Sequence, residues 1–323
     1  MTRQKGHQPM TNSTRILRPR FSTHADGSDA TLTIHEITGN VDGPTVGISG
    51  AIHGNEPTGT EIILDLHRVL QHTPIKGRLL LLPVANPRAY AENRRFTPID
   101  ELNLNREFPG DPRGNYTQQL AAAITREFLE VIDVHLDFHS GTDRPTVDYV
   151  YIWNDEALSR SFGSTVLYRP EQNREGTTFT GTTKVVTIDR REIPVVVVEL
   201  GGGIVEQKPY VERGLAGLLN MLRKLEVIEG EVVPPPNQTV VRAIKTIRPT
   251  RGGLLETLAP PLGQTIKRGE LLGRIVSPYT FETLEEIPTP YDSGIMILSH
   301  LGRNVVEAGD YAYMVGDLAG AEG

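Results

Sequence analysis

Apolar runs alternate with segments of helical period through the first 230 residues, and this alternation constrains the fold more than any other feature. Residues 79–84 are a continuous apolar run, typical of a strand covered on both faces, and residues 194–200 are a second, largely apolar run with a carboxylate near its end. Residues 58–72 and 211–225 instead repeat apolar side chains at helical spacing. Strands that alternate with helices indicate an α/β fold.

The pattern changes at residues 231–239, where three prolines stand in a row. Consecutive prolines cannot continue a helix and favour an extended spacer. We therefore expect a catalytic domain over residues 29–230, a proline-rich linker over 231–239, and a smaller C-terminal β domain over 240–323, where short β-type runs are separated by glycine turns. Residues 1–28 have little periodicity and are expected to form a tail that can be partly mobile.

Charge and cysteine content exclude several classes of function. The net charge is −7 without any long basic block, so we expect no nucleic-acid partner. No stretch approaches the roughly 18 to 20 apolar residues of a membrane span. The polar N-terminus lacks the apolar segment of a secretory signal, so a soluble, cytoplasmic protein is expected. Because the chain has no cysteine, a metal must be held by His, Asp or Glu.

A histidine and a carboxylate three residues apart follow the strand predicted at residues 45–49, in the sequence Gly50-Ala-Ile-His53-Gly-Asn-Glu56-Pro57. Both side chains can meet one cation in such a turn. Alone the pair is a weak signal, because these two residue types meet by chance in many chains. Its position strengthens it, since open α/β sheets bind ligands beyond the carboxyl ends of their strands.

Residues 131–138 are predicted to form a strand that ends at His139. Because strand residues alternate between faces, His135, Asp137 and His139 share one face. His139, at the strand end, completes a His–Glu–His set. Three protein ligands with one open position is the catalytic form of zinc. Asp137 is expected either to orient a ligand imidazole or merely to cap or face solvent. His135, further from the end, is expected to be structural.

Glu199 ends the apolar run 193–198 and precedes three glycines. Burying a carboxylate at the end of an apolar strand costs free energy unless the group is paired or has a catalytic role. The glycines allow a ligand to approach closely. Zinc lowers the pKa of a bound water from about 15.7 to about 7, and a nearby glutamate can take the proton and pass it to a leaving amine. We expect Glu199 to be that general base; the alternative is a salt-bridged carboxylate at a strand end.

A loop rich in arginine and amide groups contains Arg94, Arg95, Asn105 and Arg106. A guanidinium group pairs bidentately with a carboxylate, so this loop can hold a substrate carboxylate or polarise a scissile carbonyl. The alternative is a loop whose arginines are merely solvated.

Together these motifs resemble the succinylglutamate desuccinylase and aspartoacylase family, a branch of the zinc carboxypeptidase-like hydrolases. The resemblance covers about residues 44–318. Four motifs stand in the family's order: Gly50-x-x-His53-Gly-Asn-Glu56, Asn103-Leu-Asn105-Arg106-x-Phe-Pro-Gly, Asp137-Phe-His139-Ser-Gly and Val-x-Glu199.

The resemblance implies a mixed central sheet flanked by helices. It implies one zinc ion per chain, held by His53, Glu56 and His139, with Glu199 as base and proton shuttle. The implied activity is that of a zinc-dependent hydrolase of non-peptide amide bonds, which removes the acyl group from a small N-acyl amino acid.

The resemblance also implies that Asn105 and Arg106 bind the substrate carboxylate. The family's carbonyl-polarising arginine precedes that pair, and here Arg95 is the better match, with Arg94 as its rival for a place at the substrate. The sequence leaves the choice between them open.

The C-terminal stretch resembles a biotinyl-lipoyl-like barrel, which the resemblance places over the mouth of the active site. Tyr291 and Tyr279 are candidates for a tyrosine that enters the site from this domain, although no motif fixes either.

Three other interpretations stay open. A metallocarboxypeptidase acting on peptide C-termini would use the same ligands but needs an open groove. A carrier module would need a modifiable lysine, and Lys267 is the candidate. A catalytically inactive zinc-binding protein would have no need of Glu199. The acyl group, the amino acid and a homo-oligomeric state are left undetermined.

Overall fold

The computed structural model describes residues 12–142, 145–170, 179–202, 206–234 and 237–322. Its strands in chain order are β1 (Ser13–Leu17), β2 (Arg20–Thr23), β3 (Asp29–Thr31), β4 (Ile34–Thr38), β5 (Val41–Gly50), β6 (Lys76–Leu82), β7 (Val134–His139), β8 (Pro145–Tyr151), β9 (Val166–Tyr168), β10 (Val195–Gly201), β11 (Thr239–Val241), β12 (Ile244–Ile247), β13 (Gly253–Thr257), β14 (Thr265–Lys267), β15 (Leu271–Val276), β16 (Thr283–Pro288), β17 (Ser293–His300), β18 (Arg303–Val306) and β19 (Tyr313–Asp317).

The α-helices are α1 (Thr58–Leu70), α2 (Pro87–Ala91), α3 (Tyr116–Ile124), α4 (Glu156–Ser161), α5 (Lys184–Thr187) and α6 (Lys208–Lys224). A 3₁₀ turn covers Leu104–Arg106, and a π-helical turn, Thr125–Leu129, extends α3. None of the helices in the described part of the chain is long and apolar enough to cross a membrane.

A mixed central sheet organises the molecule, as predicted. Its main path runs β1-β4-β6-β5-β7-β10-β8-β17-β19-β12. The four strands β6, β5, β7 and β10 pair in parallel, and the strands on either side pair antiparallel. The carboxyl ends of β5, β7 and β10 therefore meet at one edge of the sheet.

Helices cover both faces of the parallel strands. Alternation along β6 sends Leu79 and Leu81 into one apolar core, shared with α1, α4 and α6, and Leu80 and Leu82 into another, shared with α3. Because both faces are covered, a strand such as β6 needs apolar side chains on both of them, which explains the continuous apolar run at residues 79–84.

The fold begins earlier than the predicted start at residue 29, so the predicted tail needs correction over residues 13–23. Here β1 pairs with β4, and β2 pairs with β3. Arg15 Nε lies 2.6 Å from Glu36 Oε1 across the β1–β4 pair. An edge strand that buries little side-chain surface needs no apolar period, so the pattern did not reveal it. Residues 1–11 of the predicted tail lie outside the described residues.

The described residues after 237 form strands and no helix, as the short β-type runs indicated. They are continuous with the central sheet, because Leu298 of β17 pairs with Val147 of β8. A second sheet, β16-β15-β13-β18, packs against β14, β17 and β19 around a core that includes Leu255, Ile275 and Tyr313. The domain boundaries and the biotinyl-lipoyl-like barrel stay predictions.

Candidate metal centre and active site

The polar residues predicted from the strand ends converge at the carboxyl edge of the parallel strands. His139 is the last residue of β7, and Glu199 lies opposite it in register on β10. His53 and Glu56 follow β5, in the turn that leads into α1. The parallel arrangement therefore brings together side chains that are up to 146 positions apart in the sequence, since Glu199 and His53 reach the same edge.

His53, Glu56 and His139 form a compact and buried set of potential ligands. Their donor atoms all lie within 4.8 Å of one another. His53 Nδ1 is 2.8 Å from Glu56 Oε1, and His139 Nδ1 is 2.9 Å from Glu56 Oε2. The three residues are only 3%, 3% and 6% exposed, so water does little to stabilise the charge of the Glu56 carboxylate. A cation held among the three side chains would stabilise that charge.

The second nitrogen of His53 shows that its Nδ1 is suited to a metal. His53 Nε2 lies 3.1 Å from Asn103 Oδ1, an oxygen that also accepts the backbone N–H of Asn105. Burial lowers the pKa of His53, although Glu56 opposes this, so the ring is neutral and has one N–H. The Asn103 oxygen can accept that N–H from Nε2, and the lone pair of Nδ1, beside the Glu56 carboxylate, would then be available to a bound cation.

Asp137 plays the corresponding part for the other histidine. His139 Nε2 lies 3.4 Å from Asp137 Oδ2, so its Nδ1 also points to Glu56. Two imidazole nitrogens and a carboxylate, with hydrogen-bond acceptors behind both rings, form a donor set that fits a zinc ion. In the metal-free protein burial opposes charge on His139, but Asp137 and Glu56 outweigh it and hold the pKa of His139 well above its ordinary value.

A buried chain of hydrogen bonds supports Asp137 from behind. Ser49 Oγ donates to Asp137 Oδ1 at 2.6 Å, and His135 Nε2 lies 2.8 Å from the same hydroxyl. Burial would raise the pKa of Asp137, but His139 and Ser49 outweigh it and lower that pKa to about 2. Asp137 therefore stays ionised. His135 lies behind it and does not line the cavity, in agreement with its expected structural role.

Glu199 lies in a different electrostatic environment from Asp137. Burial raises the pKa of Glu199 to about 8; His139 and Arg95 oppose this rise, and Glu56 adds to it. The side chain lines the cavity next to His139. A carboxyl group with such a pKa can hold or release a proton near neutral pH, which suits a general acid or base.

The structure separates the two neighbouring arginines. Arg95 Nη1 lies 2.8 Å from Glu56 Oε1 and lines the cavity. Arg94 Nη2 instead lies 2.7 Å from Glu101 Oε2 at the surface, outside the cavity lining. Arg94 therefore lies outside the cavity lining, and a place for it at the substrate stays a prediction that this arrangement does not favour.

Asn105 and Arg106 both line the cavity, at the 3₁₀ turn that Asn103 caps. Arg106 Nη1 donates to its neighbour's backbone oxygen at 2.6 Å. Among the described residues Arg106 has no carboxylate partner, and burial together with the charge of Arg95 lowers its pKa. A cation with an unoccupied guanidinium edge at the cavity wall is suited to bind an anionic group.

The cavity has a volume of about 650 Å³ and is lined by residues that sequence reasoning missed. Tyr279 is 90% exposed, and neither it nor Tyr291 lines the cavity. The C-terminal strands and the segment before β19 contribute other side chains, among them Tyr311 and Met314. One wall is aromatic, and its signal was available in the sequence, since Tyr149, Tyr151 and Trp153 alternate along one strand and its continuation.

Comparison with known proteins gives consistent results. Residues 42–225 match the succinylglutamate desuccinylase/aspartoacylase catalytic domain model. N-alpha-acetyl-L-2,4-diaminobutyric acid deacetylase of Halomonas elongata is 30% identical over 257 residues, which span 72% of this chain and 71% of that protein. The crystal structure of a succinylglutamate desuccinylase from Silicibacter sp. is 25% identical, with a TM-score of 0.80 and coverage of 97% and 99% of the two chains. A succinylglutamate desuccinylase/aspartoacylase from Rhodobacter sphaeroides is 26% identical, with a TM-score of 0.78 and coverage of 95% and 96%.

Proposed function

Because the chain belongs to the succinylglutamate desuccinylase and aspartoacylase family, we propose that it is a zinc-dependent hydrolase that removes the acyl group from a small N-acyl amino acid. One observation carries the proposal: a buried His–Glu–His set and an acid with a raised pKa share one cavity. The deacetylase activity named for the Halomonas relative supports the same reaction class.

His53, Glu56 and His139 would hold the zinc ion through two imidazole nitrogens and one carboxylate. When bound, the ion supplies Lewis-acid chemistry, since it polarises a carbonyl oxygen and makes a water molecule more acidic. Asn103 and Asp137 hold the two rings so that their Nδ1 atoms converge.

Glu199 is the group that moves the proton. Its carboxylate removes a proton from the attacking water and returns it to the nitrogen of the leaving amine. The same oxygen therefore acts first as a base and then as an acid. Without the ion, burial raises the pKa of Glu199 to about 8. The charge of a bound zinc ion would lower that pKa and so favour the carboxylate form that accepts the proton in the first step.

Arg95 and the pair Asn105 and Arg106 position the substrate. Arg95, beside Glu56, is placed to stabilise the negative charge that develops on the carbonyl oxygen. Arg106, which has no carboxylate partner among the described residues, supplies a guanidinium edge for the substrate carboxylate, and Asn105 lines the same cavity.

A metallocarboxypeptidase remains the alternative within the hydrolases. The residues that line the cavity from the C-terminal part of the chain, including Thr246, Tyr311 and Met314, favour a small substrate over a peptide in an open groove. We retain the barrel over the site mouth, with its boundary at residues 231–239, as part of the proposal.

A screen tests this function directly. Zinc-loaded protein is incubated with a panel of N-acyl amino acids and with blocked peptides that carry free C-termini, and primary amine release is measured. We expect release from N-acyl amino acids and little from the peptides. Preferential cleavage of the peptides would favour the carboxypeptidase alternative, and no release from either panel would contradict the proposal.

A further inference from the structure

Five aromatic rings form one continuous side of the cavity, which we call the aromatic wall: Tyr149, Tyr151, Trp153, Tyr168 and Phe179. Alternation along β8 places the first two rings on the face that Glu199 shares, because Tyr149 pairs with Glu199 in register. Trp153 continues the same alternation beyond the end of the strand. None of these residues belongs to the proposed hydrolytic machinery.

The rings of the aromatic wall support one another. Tyr151 and Trp153 are stacked, with centroids 5.3 Å apart and planes inclined by 3°. Phe179 meets Trp153 edge to face at 4.7 Å. The hydroxyl groups of Tyr149 and Tyr151 lie 3.1 Å apart and share one hydrogen bond. A surface that is held in place before a ligand arrives loses little conformational entropy on binding.

The aromatic wall shares one cavity with both groups of the proposed substrate site. Tyr149 is the strand neighbour of Glu199, where the scissile amide would lie. Arg106, the proposed carboxylate-binding group, lines the same cavity as Tyr151 and Trp153. A substrate that reaches from Arg106 to Glu199 therefore has the aromatic wall beside it.

The charges around the aromatic wall disfavour a cationic side chain. Among the described residues that line the cavity, the carboxylates are Glu56, Asp137 and Glu199. The first two are engaged by imidazoles, and the third is the proposed base. The Lys184 ammonium group already lies 5.9 Å from the centre of the Trp153 ring. Lys184 is itself paired with Asp189 at 2.6 Å. An incoming ammonium group would therefore meet a cation at this ring, and the described residues of the cavity lining offer it no carboxylate that is not already engaged.

We propose that the aromatic wall selects N-acyl amino acids whose side chain is uncharged and bulky, either aromatic or branched apolar. This inference rests on the proposed function, because that function fixes where the carboxylate and the amide lie. A cavity of about 650 Å³ leaves room beyond an N-acetyl group and a short side chain. Apolar contact with pre-positioned rings is the interaction that such a side chain gains.

Trp153 provides a direct probe, since it is the single tryptophan of the chain. We would titrate zinc-loaded Glu199→Gln protein, in which turnover is blocked, with N-acetyl-L-phenylalanine, N-acetylglycine and N-acetyl-L-2,4-diaminobutyrate and follow tryptophan fluorescence. We expect N-acetyl-L-phenylalanine to bind at least about tenfold more tightly than the other two. In the protein with Glu199 intact, kcat/KM should show the same order.

Two variants of Tyr151 and one control locate the effect. Tyr151→Ala should remove most of the preference for N-acetyl-L-phenylalanine over N-acetylglycine. The kcat/KM for N-acetylglycine itself, which also reports correct folding, should stay nearly unchanged. Tyr151→Phe keeps the ring and should keep the preference for N-acetyl-L-phenylalanine. Tyr279→Ala removes an exposed ring outside the cavity and should change nothing.

Equal binding of all three ligands, or tighter binding of the diaminobutyrate derivative, would overturn the inference. Equal losses for all substrates in Tyr151→Ala would also overturn it. If N-acetylglycine and N-acetyl-L-phenylalanine are hydrolysed equally well, the proposed function is supported and the selective role of the aromatic wall is contradicted. If no substrate is hydrolysed but the tenfold binding margin persists, the wall binds as inferred and the hydrolase proposal falls.

Discussion

Glu199 lies directly opposite His139, in register on the neighbouring parallel strands β10 and β7. The two side chains share the carboxyl edge of the sheet, one within the buried ligand set and the other on the cavity wall. This adjacency places the proposed proton-transfer group next to the proposed metal without making it part of the His–Glu–His set. The roles of ligand and base can therefore be separated by experiment.

Replacing Glu199 with glutamine separates them most simply. Glu199→Gln keeps the size of the side chain but removes the base, so we expect kcat to fall by about 10² to 10⁴ while bound zinc is retained. Steady-state kinetics and elemental analysis of the same preparation measure both quantities. Glu206→Gln is a control away from the cavity lining. Unchanged turnover in Glu199→Gln would remove this residue from the mechanism.

The neighbouring arginines form a matched pair for mutation. Arg95 contacts Glu56 inside the cavity, whereas Arg94 pairs with Glu101 at the surface. Because loss of one group that stabilises the developing oxyanion typically costs about 10² to 10³ in kcat, we expect that loss in Arg95→Ala and almost none in Arg94→Ala. A larger loss in Arg94→Ala than in Arg95→Ala would show that the assignment is reversed.

The carboxylate behind His139 should control metal affinity. Asp137→Asn removes the charge that orients the His139 ring, and such a change typically weakens metal binding by about 10- to 100-fold. Competition with a chromophoric chelator measures the zinc dissociation constant. Asp65→Asn, which breaks an exposed ion pair with Arg68, is the control. An unchanged zinc affinity in Asp137→Asn would mean that Asp137 does not hold the ring.

The pH dependence of stability tests the environment of Glu199 in the metal-free protein. Burial raises the pKa of this carboxyl group to about 8 from the ordinary 4.5. Between these values the folded chain holds a proton that the unfolded chain has released, so this group makes the folded state less stable as the pH rises through that window. Glu199→Gln removes the titration.

We therefore expect the Tm of Glu199→Gln to rise relative to the Tm of the unmutated protein as the pH rises from about 4.5 to about 8. Both Tm values are measured by circular dichroism with a chelator present. The two proteins should differ least at the acidic end, where Glu199 is protonated in both the folded and the unfolded chain. A Tm difference that stays constant or shrinks with rising pH would contradict the raised pKa.

Local sequence patterns predicted much of the architecture and the ligand set. Continuous apolar runs predicted strands such as β6 and β10, since their two faces are both covered. The positions of His53, Glu56 and His139 at strand ends then predicted their convergence, because parallel strands meet at one edge. The structure confirms that these three side chains lie together.

Features that depend on distant pairing could not be predicted. Nothing near Leu298 indicates that β17 extends the central sheet beside Val147, because strand pairing across 151 positions leaves no local period. The side of the loop to which Arg94 and Arg95 point depends on the backbone path after α2. Asn103 was visible as part of a motif, but its contact with His53 Nε2 required coordinates.

Zinc content measured by elemental analysis tests whether His53, Glu56 and His139 hold a metal ion together. We compare the unmutated protein with His53→Ala, His139→Ala and the control His72→Ala, which replaces an exposed histidine after α1. We expect about one zinc ion per chain in the unmutated protein and in the control, and less than about a tenth of that in the other two variants. A full equivalent of zinc retained by His139→Ala would contradict it.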